Sequence, residues 1–420
     1  MNILVLGGGG REHALAWAIK QNPKCDRLIV APGNAGMVQI AECADLNIEK
    51  GALVVRFCEE NAIDFVVIGP EAPLAAGVAD ALRAAGIVCF GPSAAAARLE
   101  ASKAFTKEIC DAVGAPTAAW ARFDDAAAAR SYITEKGLPL VIKADGLAAG
   151  KGVVIPETLD EALDVAKAMF DGTYGDAGAS MVIEEFMEGE EASFFVLVDG
   201  EACLPIGTAQ DHKRVGEGDS GPNTGGMGAY SPAPVLTLAL QEQALAQIIR
   251  PTMAEMARRG MPYQGVLYAG LMIKDGQARL VEYNVRFGDP EAQVLMMRLG
   301  AQALDLMLAC AEGRLQDVSA NWADDHAITV VMAAKGYPGT YENGSEIKGI
   351  DGLPADSRNM VFHAGTARRE ARLVAQGGRV LNVTARGDTL AEAQARAYRM
   401  VDAIDWSEGF CRRDIGWRAL

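Results

Sequence analysis

The sequence predicts a multidomain protein with α/β and α+β units. At about 150 residues per domain, its 420 residues correspond to roughly three domains. Strand and helix patterns alternate through the first hundred residues, which is typical of a doubly wound parallel sheet. Further along, neighbouring strands follow one another through tight turns before helices begin, which is typical of α+β units. We therefore predict domains at 1–102, 103–324 and 325–420.

Composition and charge narrow the class further. Half of the residues are hydrophobic and 22% are charged, as in ordinary globular proteins. The 39 basic and 55 acidic residues give a net charge of −16, which disfavours nucleic acid and anionic membranes as partners. The eight cysteines are scattered without a C-x-x-C pair, and no zinc-site spacing occurs. With neither a signal-peptide pattern nor a long apolar run, we expect a cytoplasmic protein.

The N-terminal unit contains the strand and helix signals in order. Strands are predicted at Asn2–Leu6, Arg27–Ala31, Phe65–Ile68 and Ile87–Phe90, with a helix at Arg11–Gln21. Ligands of parallel sheets bind at the carboxyl ends of the strands. The loops Gly7–Glu12, Ala31–Gly36 and Gly69–Pro73 are therefore expected to share one crevice.

The glycine-rich loop after the first strand has two interpretations. A dinucleotide fingerprint would need a third glycine where Glu12 stands, and an acidic residue after the second strand, which instead ends in Val30-Ala31-Pro32. A phosphate or sugar-phosphate site remains, because backbone N–H groups at a helix start bind anions and Arg11 adds a positive charge. A tight turn without function would explain the glycines but not Arg11.

The middle of the chain changes pattern. We predict a helix at Lys103–Val113, strands at Leu138–Ala144 and Gly152–Ile155, and a hairpin of Met181–Phe186 with Ala192–Val198. Two further helices are predicted near 241–259 and 289–312, and two strands at 265–273 and 279–283 are joined by the turn 274–276. Beyond residue 324, we predict strands near 327–333, 361–366 and 379–385, followed by a final helix.

Lys143 lies in an apolar strand just before a glycine-rich loop, Gly146–Gly152. The loop is not a Walker A motif, since Gly152 replaces the metal-binding Ser or Thr. An unpaired ammonium in such a strand would be costly, so Lys143 either pairs with a carboxylate or faces a phosphate. The adjacent loop favours phosphate, because its amides can surround an anion.

Glu282 and Asn284 are the clearest metal candidates. They are two residues apart on a predicted strand, so both side chains project from one face. A carboxylate and an amide oxygen suit Mg²⁺, which takes its other ligands from water and phosphates. Arg286 continues the same alternation, and the following Phe287–Glu291 makes a merely solvated strand edge a weaker interpretation.

Two further polar segments are candidates. Glu184 and Glu191 flank a predicted strand end and could bind a purine amino group and ribose hydroxyls. The long segment Gln210–Gly228 combines Asp, His, Lys and Arg with many glycines inside a compact domain, and long loops of this kind are usually functional or disordered.

The assembled motifs resemble one family. GGREHALAW, GPEAPL, SKAFTKE, VIKADGLAAGKGV, QDHKRVGEGDSGPNTGGMGAYSP, EYNVRFGDPE and CRRDIGWRA occur in the order typical of the phosphoribosylamine–glycine ligases, which are members of the ATP-grasp superfamily. The resemblance implies an N-terminal pre-ATP-grasp domain with a doubly wound parallel sheet. It also implies a central ATP-grasp domain with a mobile lid at about 120–195 and a small C-terminal α+β domain.

The resemblance also implies the reaction and its residues. ATP, glycine and 5-phosphoribosylamine would be substrates, Mg²⁺ or Mn²⁺ the cofactor, and the protein a monomer. Arg286, Lys143 and Asp211 would be catalytic, and Glu282 and Asn284 would bind the metal. ATP would be bound by Lys103, Lys143, Gly146, Gly150, Lys151, Gly152, Glu184, Glu185, Phe186, Met187, Glu191 and Arg214. The other substrates would be bound by Gly8, Gly9, Arg11, Glu12, Pro70, Glu71, Asp211, Lys213, Asn223, Thr224, Gly225, Arg286 and Asp289.

Three alternatives remain open at this point. Another ATP-grasp enzyme, such as a biotin-dependent carboxylase or a different purine-pathway ligase, is disfavoured by the segment 210–232, where substrate identity would be encoded. A non-catalytic nucleotide sensor would be expected to have lost Glu282, Asn284 or Arg286. A Rossmann dehydrogenase is disfavoured by Glu12 and Val30.

Overall fold

The N-terminal unit of this computed structural model, which describes residues 1–146, 152–173, 178–200 and 202–420, is a parallel sheet. Its strands follow the order β3-β2-β1-β4-β5. They are β1 Asn2–Gly7, β2 Arg27–Pro32, β3 Glu42–Cys43, β4 Phe65–Ile68 and β5 Val88–Phe90. The helices are α1 Gly10–Lys20, α2 Gly51–Glu60, α3 Glu71–Ala75, α4 Val78–Ala84 and α5 Ala94–Ala101. The predicted doubly wound sheet is confirmed.

The loops at the carboxyl ends of β1, β2 and β4 lie together, as predicted. The backbone N–H of Gly33 donates to Gly7 O at 3.2 Å, and that of Gly69 donates to Leu6 O at 3.0 Å. The side chain of Glu12 lies over Gly7 and Gly69, and any Cβ at those two positions would overlap it. The two glycines thus accommodate the glutamate that argued against a dinucleotide fingerprint.

A small antiparallel sheet follows α6, Lys103–Val113. Its order is β6-β9-β7-β8, built from β6 Trp120–Phe123, β7 Leu140–Ala144, β8 Val153–Val154 and β9 Met181–Glu185. Helices α7 Ala126–Lys136 and α8 Leu159–Phe170 pack on it. The predicted lid range of about 120–195 extends past this sheet, because the next strand belongs to another sheet.

A long sheet joins the central and C-terminal parts of the chain. Its main path runs β16-β15-β10-β11-β14-β17-β21-β18, with β22 pairing β17. These strands are β10 Glu190–Asp199, β11 Cys203–Asp211, β14 Gly228–Ser231, β15 Gln264–Lys274, β16 Gln277–Asn284, β17 His326–Ala334, β18 Asn359–His363, β21 Arg379–Gly387 and β22 Gly409–Phe410. Because β14 pairs β17, the C-terminal α+β unit continues the central sheet.

Short hairpins and helices complete the described chain. The hairpins are β12 Arg214–Gly216 with β13 Ser220–Asn223, and β19 Thr366–Arg369 with β20 Arg372–Ala375. The helices are α9 Leu238–Ala244, α10 Arg250–Arg258, α11 Glu291–Leu299, α12 Gln302–Ala311 and α13 Leu390–Ala403. A π-helical turn, Leu245–Ile249, joins α9 to α10. The described residues contain no single helix long and apolar enough to span a membrane; only the bent pair α11 and α12 meets those criteria jointly, and it lies in the core.

One predicted hairpin forms and the other does not. Strands β15 and β16 pair through Asp275-Gly276, both with positive φ, as a two-residue turn requires. The predicted hairpin of 181–186 with 192–198 is wrong, since β9 lies between β6 and β7, whereas β10 lies between β11 and β15. Both edges of each strand are occupied by other strands, so the connection at 186–189 leads from one sheet to the next.

Candidate active site

A cleft of about 370 Å³ opens where the three parts of the chain meet, and we call it the main cleft. The N-terminal loops, the small sheet, the long sheet and the C-terminal strand β21 all contribute side chains. Its charged and polar side chains are mainly those of Arg11, Glu71, Glu100, Lys103, Lys107, Glu184, Asp211, Lys213, Thr224, Glu282, Asn284, Arg286, Asp289, Glu291 and Arg379, and Gly152 and Gly225 line it as well.

A buried cation cluster borders one end of the main cleft. The Glu184 carboxylate lies between two ammonium groups, with Oε1 at 2.9 Å from Lys143 Nζ and Oε2 at 3.2 Å from Lys107 Nζ. Lys103 donates to Gly146 O at 3.2 Å, and burial lowers the pKa of its ammonium. Lys143 therefore does pair with a carboxylate, and it does so beside two further lysines.

Glu282 and Asn284 both line the main cleft from β16. Burial alone would raise the pKa of Glu282, but Lys213, Lys143 and Lys103 lower it below its ordinary value, so the carboxylate is ionised. An ionised carboxylate next to an amide oxygen is a donor set that fits a hard divalent cation. Among the described residues, no group of three His, Cys, Asp or Glu side chains is arranged to hold a metal ion. Beside Glu282 and Asn284, water and phosphates would supply the remaining ligands.

Arg286 follows β16 and is held by carboxylates. Its Nη2 lies 2.9 Å from Glu100 Oε1, and its Nε lies 3.4 Å from Glu71 Oε2. Glu100 also accepts the backbone N–H of Val285 at 2.7 Å. Burial lowers the pKa of an arginine, but Glu100 and Glu71 raise that of Arg286, which keeps the guanidinium charged in the cleft.

Arg11 is closely paired. Its Nε donates to Glu12, its Nη1 donates to Phe287 O at 3.1 Å, and Glu71 Oε2 lies 4.0 Å from the same nitrogen. Glu12 is buried and also accepts the backbone N–H of Gly9 at 2.7 Å, which caps α1. Glu12 thus holds the glycine-rich loop through its backbone. Arg11 lines the cleft and interacts with both Glu12 and Glu71.

Asp211, Lys213 and Thr224 form the opposite wall. Burial raises the pKa of Asp211 to about 7; Lys213 opposes the shift, whereas Glu291 and Glu191 add to it. Burial alone would lower the pKa of Lys213, but Glu191, with which it pairs, and Asp211 raise it. The Thr224 hydroxyl donates to Lys213 O at 2.8 Å and accepts from the Gly226 N–H. This wall offers both a carboxylate and an ammonium to a small zwitterion.

A second, more open cleft of about 480 Å³ adjoins the first through Asp289 and Arg379. Gly8 and Gly9 line it together with Asn34 and residues of the C-terminal part. Asn34 Nδ2 joins both sides by donating to Gly8 O at 3.0 Å and to His363 O at 2.8 Å. The glycine-rich loop therefore faces the C-terminal part of the chain.

Family profiles match three consecutive stretches of this architecture. The N domain of phosphoribosylglycinamide synthetase matches residues 1–100, its ATP-grasp (A) domain 101–292 and its C domain 327–418. The chain belongs to the phosphoribosylglycinamide synthetase family. The recognised family and the predicted fold class are thereby confirmed, and the dehydrogenase alternative is excluded.

Individual relatives agree with the family. The phosphoribosylamine–glycine ligase of Mesorhizobium japonicum is 59% identical over 100% of this chain and 99% of its own. The solved structure of phosphoribosylamine–glycine ligase from Thermotoga maritima is 32% identical, with a TM-score of 0.88 and coverage of 99% of this chain and 100% of that one. The biotin carboxylase domain of Hydrogenobacter thermophilus 2-oxoglutarate carboxylase has a TM-score of 0.75 at 16% identity, over 98% and 91% of the chains, and shows the fold alone.

Thirteen of the residues expected from the family motifs line the main cleft. Those lining it are Arg11, Glu71, Lys103, Gly152, Glu184, Asp211, Lys213, Thr224, Gly225, Glu282, Asn284, Arg286 and Asp289. Lys143 lies directly behind Glu184, and Gly146 accepts the Lys103 ammonium. Gly150 and Lys151 lie outside the described residues. The predicted roles of all these residues stay predictions.

Other expected residues lie away from the lining. Arg214 donates to Gly221 O at 2.8 Å, within the hairpin where it also faces Asn223. Glu185 accepts from Ala119 N–H and pairs with Arg279, while Phe186 is exposed and Met187 buried. Glu191 pairs with Lys213, Pro70 precedes α3, and Gly8 and Gly9 face the second cleft.

Sequence reasoning missed Lys107, Glu100, Glu291 and Arg379. Lys107 is four residues after Lys103 on α6, a spacing that puts both on one helix face and could have indicated it. Arg379 donates to Gly225 O and to Asp289 O at 2.6 Å from a strand far along the chain. No local pattern marks Arg379, Glu100 or Glu291, because only tertiary contacts bring them to the cleft.

Proposed function

We propose that this chain catalyses the ATP-dependent ligation of glycine to 5-phosphoribosylamine, giving glycinamide ribonucleotide, ADP and phosphate, as a step of purine biosynthesis. One observation carries the proposal: a single cleft gathers a lysine cluster, an oxygen-donor pair, a held arginine and a zwitterion-sized acid and base pair. Full-length identity of 59% to a named phosphoribosylamine–glycine ligase supports the same activity.

ATP would bind with its phosphates at Lys103 and Lys143 and its adenine along the end of β9. Glu282 and Asn284 would hold Mg²⁺ or Mn²⁺, which when bound neutralises phosphate charge and orients the terminal phosphoryl group. The low pKa of Glu282 supports this role, because the carboxylate needs no deprotonation before it binds a cation.

Glycine would bind between Asp211 and Thr224, with its carboxylate directed towards the terminal phosphoryl group. Attack of that carboxylate would release ADP and form glycyl phosphate. Arg286 would stabilise the negative charge of this intermediate. Its ion pairs with Glu100 and Glu71, which hold the guanidinium in place, support this role. The amine of phosphoribosylamine, bound near Arg11 and Glu71, would then displace phosphate and form the amide.

We further propose a cytoplasmic monomer whose partners are these small molecules, without nucleic acid or membrane. The net charge of −16 supports the exclusion of polyanionic partners. Gel filtration with light scattering tests the monomer, and a dimeric mass would contradict it.

The activity is tested by following ADP release with ATP, Mg²⁺, glycine and freshly prepared phosphoribosylamine. We expect turnover only when both co-substrates are present, with glycinamide ribonucleotide identified by mass spectrometry. ADP release that needs neither co-substrate would contradict the proposal, and bicarbonate-dependent release would support the carboxylase alternative instead. ATP binding without any turnover would favour the sensor alternative.

A further inference from the structure

The Lys107 ammonium lies at the main cleft and is surrounded by hydrogen-bond acceptors, although the sequence did not mark this residue as part of the site. Its ammonium has three acceptors: Glu184 Oε2 at 3.2 Å, Thr117 Oγ1 at 2.7 Å and Ala118 O at 3.5 Å. The Thr117 hydroxyl uses its own hydrogen to reach Leu280 O at 2.7 Å, so it must accept from Lys107. Three acceptors around one nitrogen match the three N–H donors of a charged ammonium group.

The charges of this cluster do not cancel. Lys107, Lys143 and Glu184 have side-chain exposures of only 3%, 6% and 3%, and two ammonium groups share one carboxylate. Among the described residues, the Lys143 ammonium contacts only Glu184 Oε1. Glu282 also acts on Lys143, but it is shared with Lys103 and Lys213, so it compensates the cluster only in part. Buried charge that is only partly compensated is costly in the empty protein, and an anion in the cleft relieves that cost.

We propose that Lys107 is a positioning residue for ATP: it occupies half of the Glu184 carboxylate and so leaves the charge of Lys143 available to the phosphates. The inference rests on the proposed function, since it takes ATP as the anion. Without Lys107, Glu184 and Lys143 would form a closed neutral pair with little attraction for phosphate. The same ammonium, through Thr117 and Leu280, also ties α6 to the strand that bears Glu282.

The experiment compares Lys107→Met with the wild-type full-length chain. Loss of one buried positive charge near the phosphates should raise the Kd and the KM for Mg-ATP about tenfold, which corresponds to about 1.4 kcal/mol. The affinity for adenosine should stay within about twofold, because the lost charge acts on phosphates, which adenosine does not have. Both ligands are measured by displacement of a fluorescent ATP analogue, and kcat at saturating ATP should change little.

Controls separate charge from fold. Lys107→Arg retains the charge and should recover most of the ATP affinity, whereas Lys335→Met removes a 59% exposed lysine outside the cleft lining and should change nothing. If Lys107→Met does not fold, Lys107→Gln, which keeps a donor without the charge, replaces it. Equal weakening of ATP and adenosine, or unchanged ATP affinity, would overturn the inference. Glycine-dependent turnover by the wild-type chain is measured separately, so the proposed function stands or fails independently.

Discussion

Replacing Glu100 by glutamine tests whether a carboxylate outside the predicted site holds the proposed catalytic arginine. Glu100 and Arg286 approach to 2.9 Å, with side-chain exposures of 9% and 18%. Glutamine has nearly the same shape and can still accept the Val285 N–H, but it removes the negative charge beside the guanidinium.

The expected magnitude follows from the neighbours of Arg286. Removing one partner of a buried ion pair costs ~3–5 kcal/mol. Here the loss is smaller, because Glu71 remains at 3.4 Å from Arg286 and because burial raises the pKa of Glu100, which shows that its ionised form is itself disfavoured. We therefore expect the free energy of unfolding to fall by about 2 kcal/mol. A displaced guanidinium should lower kcat by ten- to a hundredfold, with the KM for ATP almost unchanged.

Urea unfolding and steady-state kinetics measure the two effects. Glu42→Gln is the matched control, since Glu42 pairs with Arg27 at 2.7 Å but is 59% exposed, and exposed pairs contribute ~0–1 kcal/mol. If Glu100→Gln changes stability no more than this control and leaves kcat intact, Glu100 does not position Arg286.

Three further predictions concern two charged residues of the main cleft and a pair of histidines that joins the N-terminal and C-terminal parts of the chain. Glu282→Gln should raise the Mg²⁺ concentration needed for half-maximal activity at least about tenfold. The metal-free variant should stay folded with a lower thermal midpoint, because three lysines lose a carboxylate that they stabilise in its charged form. Equal metal dependence would contradict the metal assignment. If glycine needs the ionised form of Asp211, kcat/KM for glycine should rise with pH through about 7, and Asp211→Asn should abolish that limb as well as reduce the rate; a limb that persists belongs to another group. His13 and His363 are buried against each other, and burial lowers their pKa values to about 3 and about 4. Between those values and pH 6.5, both imidazoles are therefore neutral in the folded protein and become protonated when the chain unfolds. Stability should therefore fall by about 1.4 kcal/mol per pH unit for each histidine as the pH drops below 6.5, and a His13→Asn variant should show a shallower slope in urea unfolding at different pH values.

The order of elements could be predicted from local patterns. Apolar runs followed by glycine marked β1, β4 and β5, and Asp275-Gly276 marked the hairpin of β15 and β16, because these signals lie within a few residues. The pairing of strands depends instead on which other strands bind along their two edges. For this reason β9 and β10, which look like a hairpin in the sequence, belong to different sheets. The continuation of the central sheet into the C-terminal part is likewise a long-range pairing, between β14 and β17.

Some features of the site could likewise be predicted from the sequence, and others depend on long-range contacts. Alternation along one strand was enough to select Glu282, Asn284 and Arg286. The apolar strand before a glycine-rich loop selected Lys143, and the family motifs supplied Lys103. The sequence by itself therefore determined the family and the reaction class, and it predicted part of the set of side chains that line the cleft. Only the tertiary structure decided how those side chains are held, because their ion-pair partners come from distant segments: Glu100 beside Arg286, Lys107 beside Glu184, and Arg379 beside Asp289.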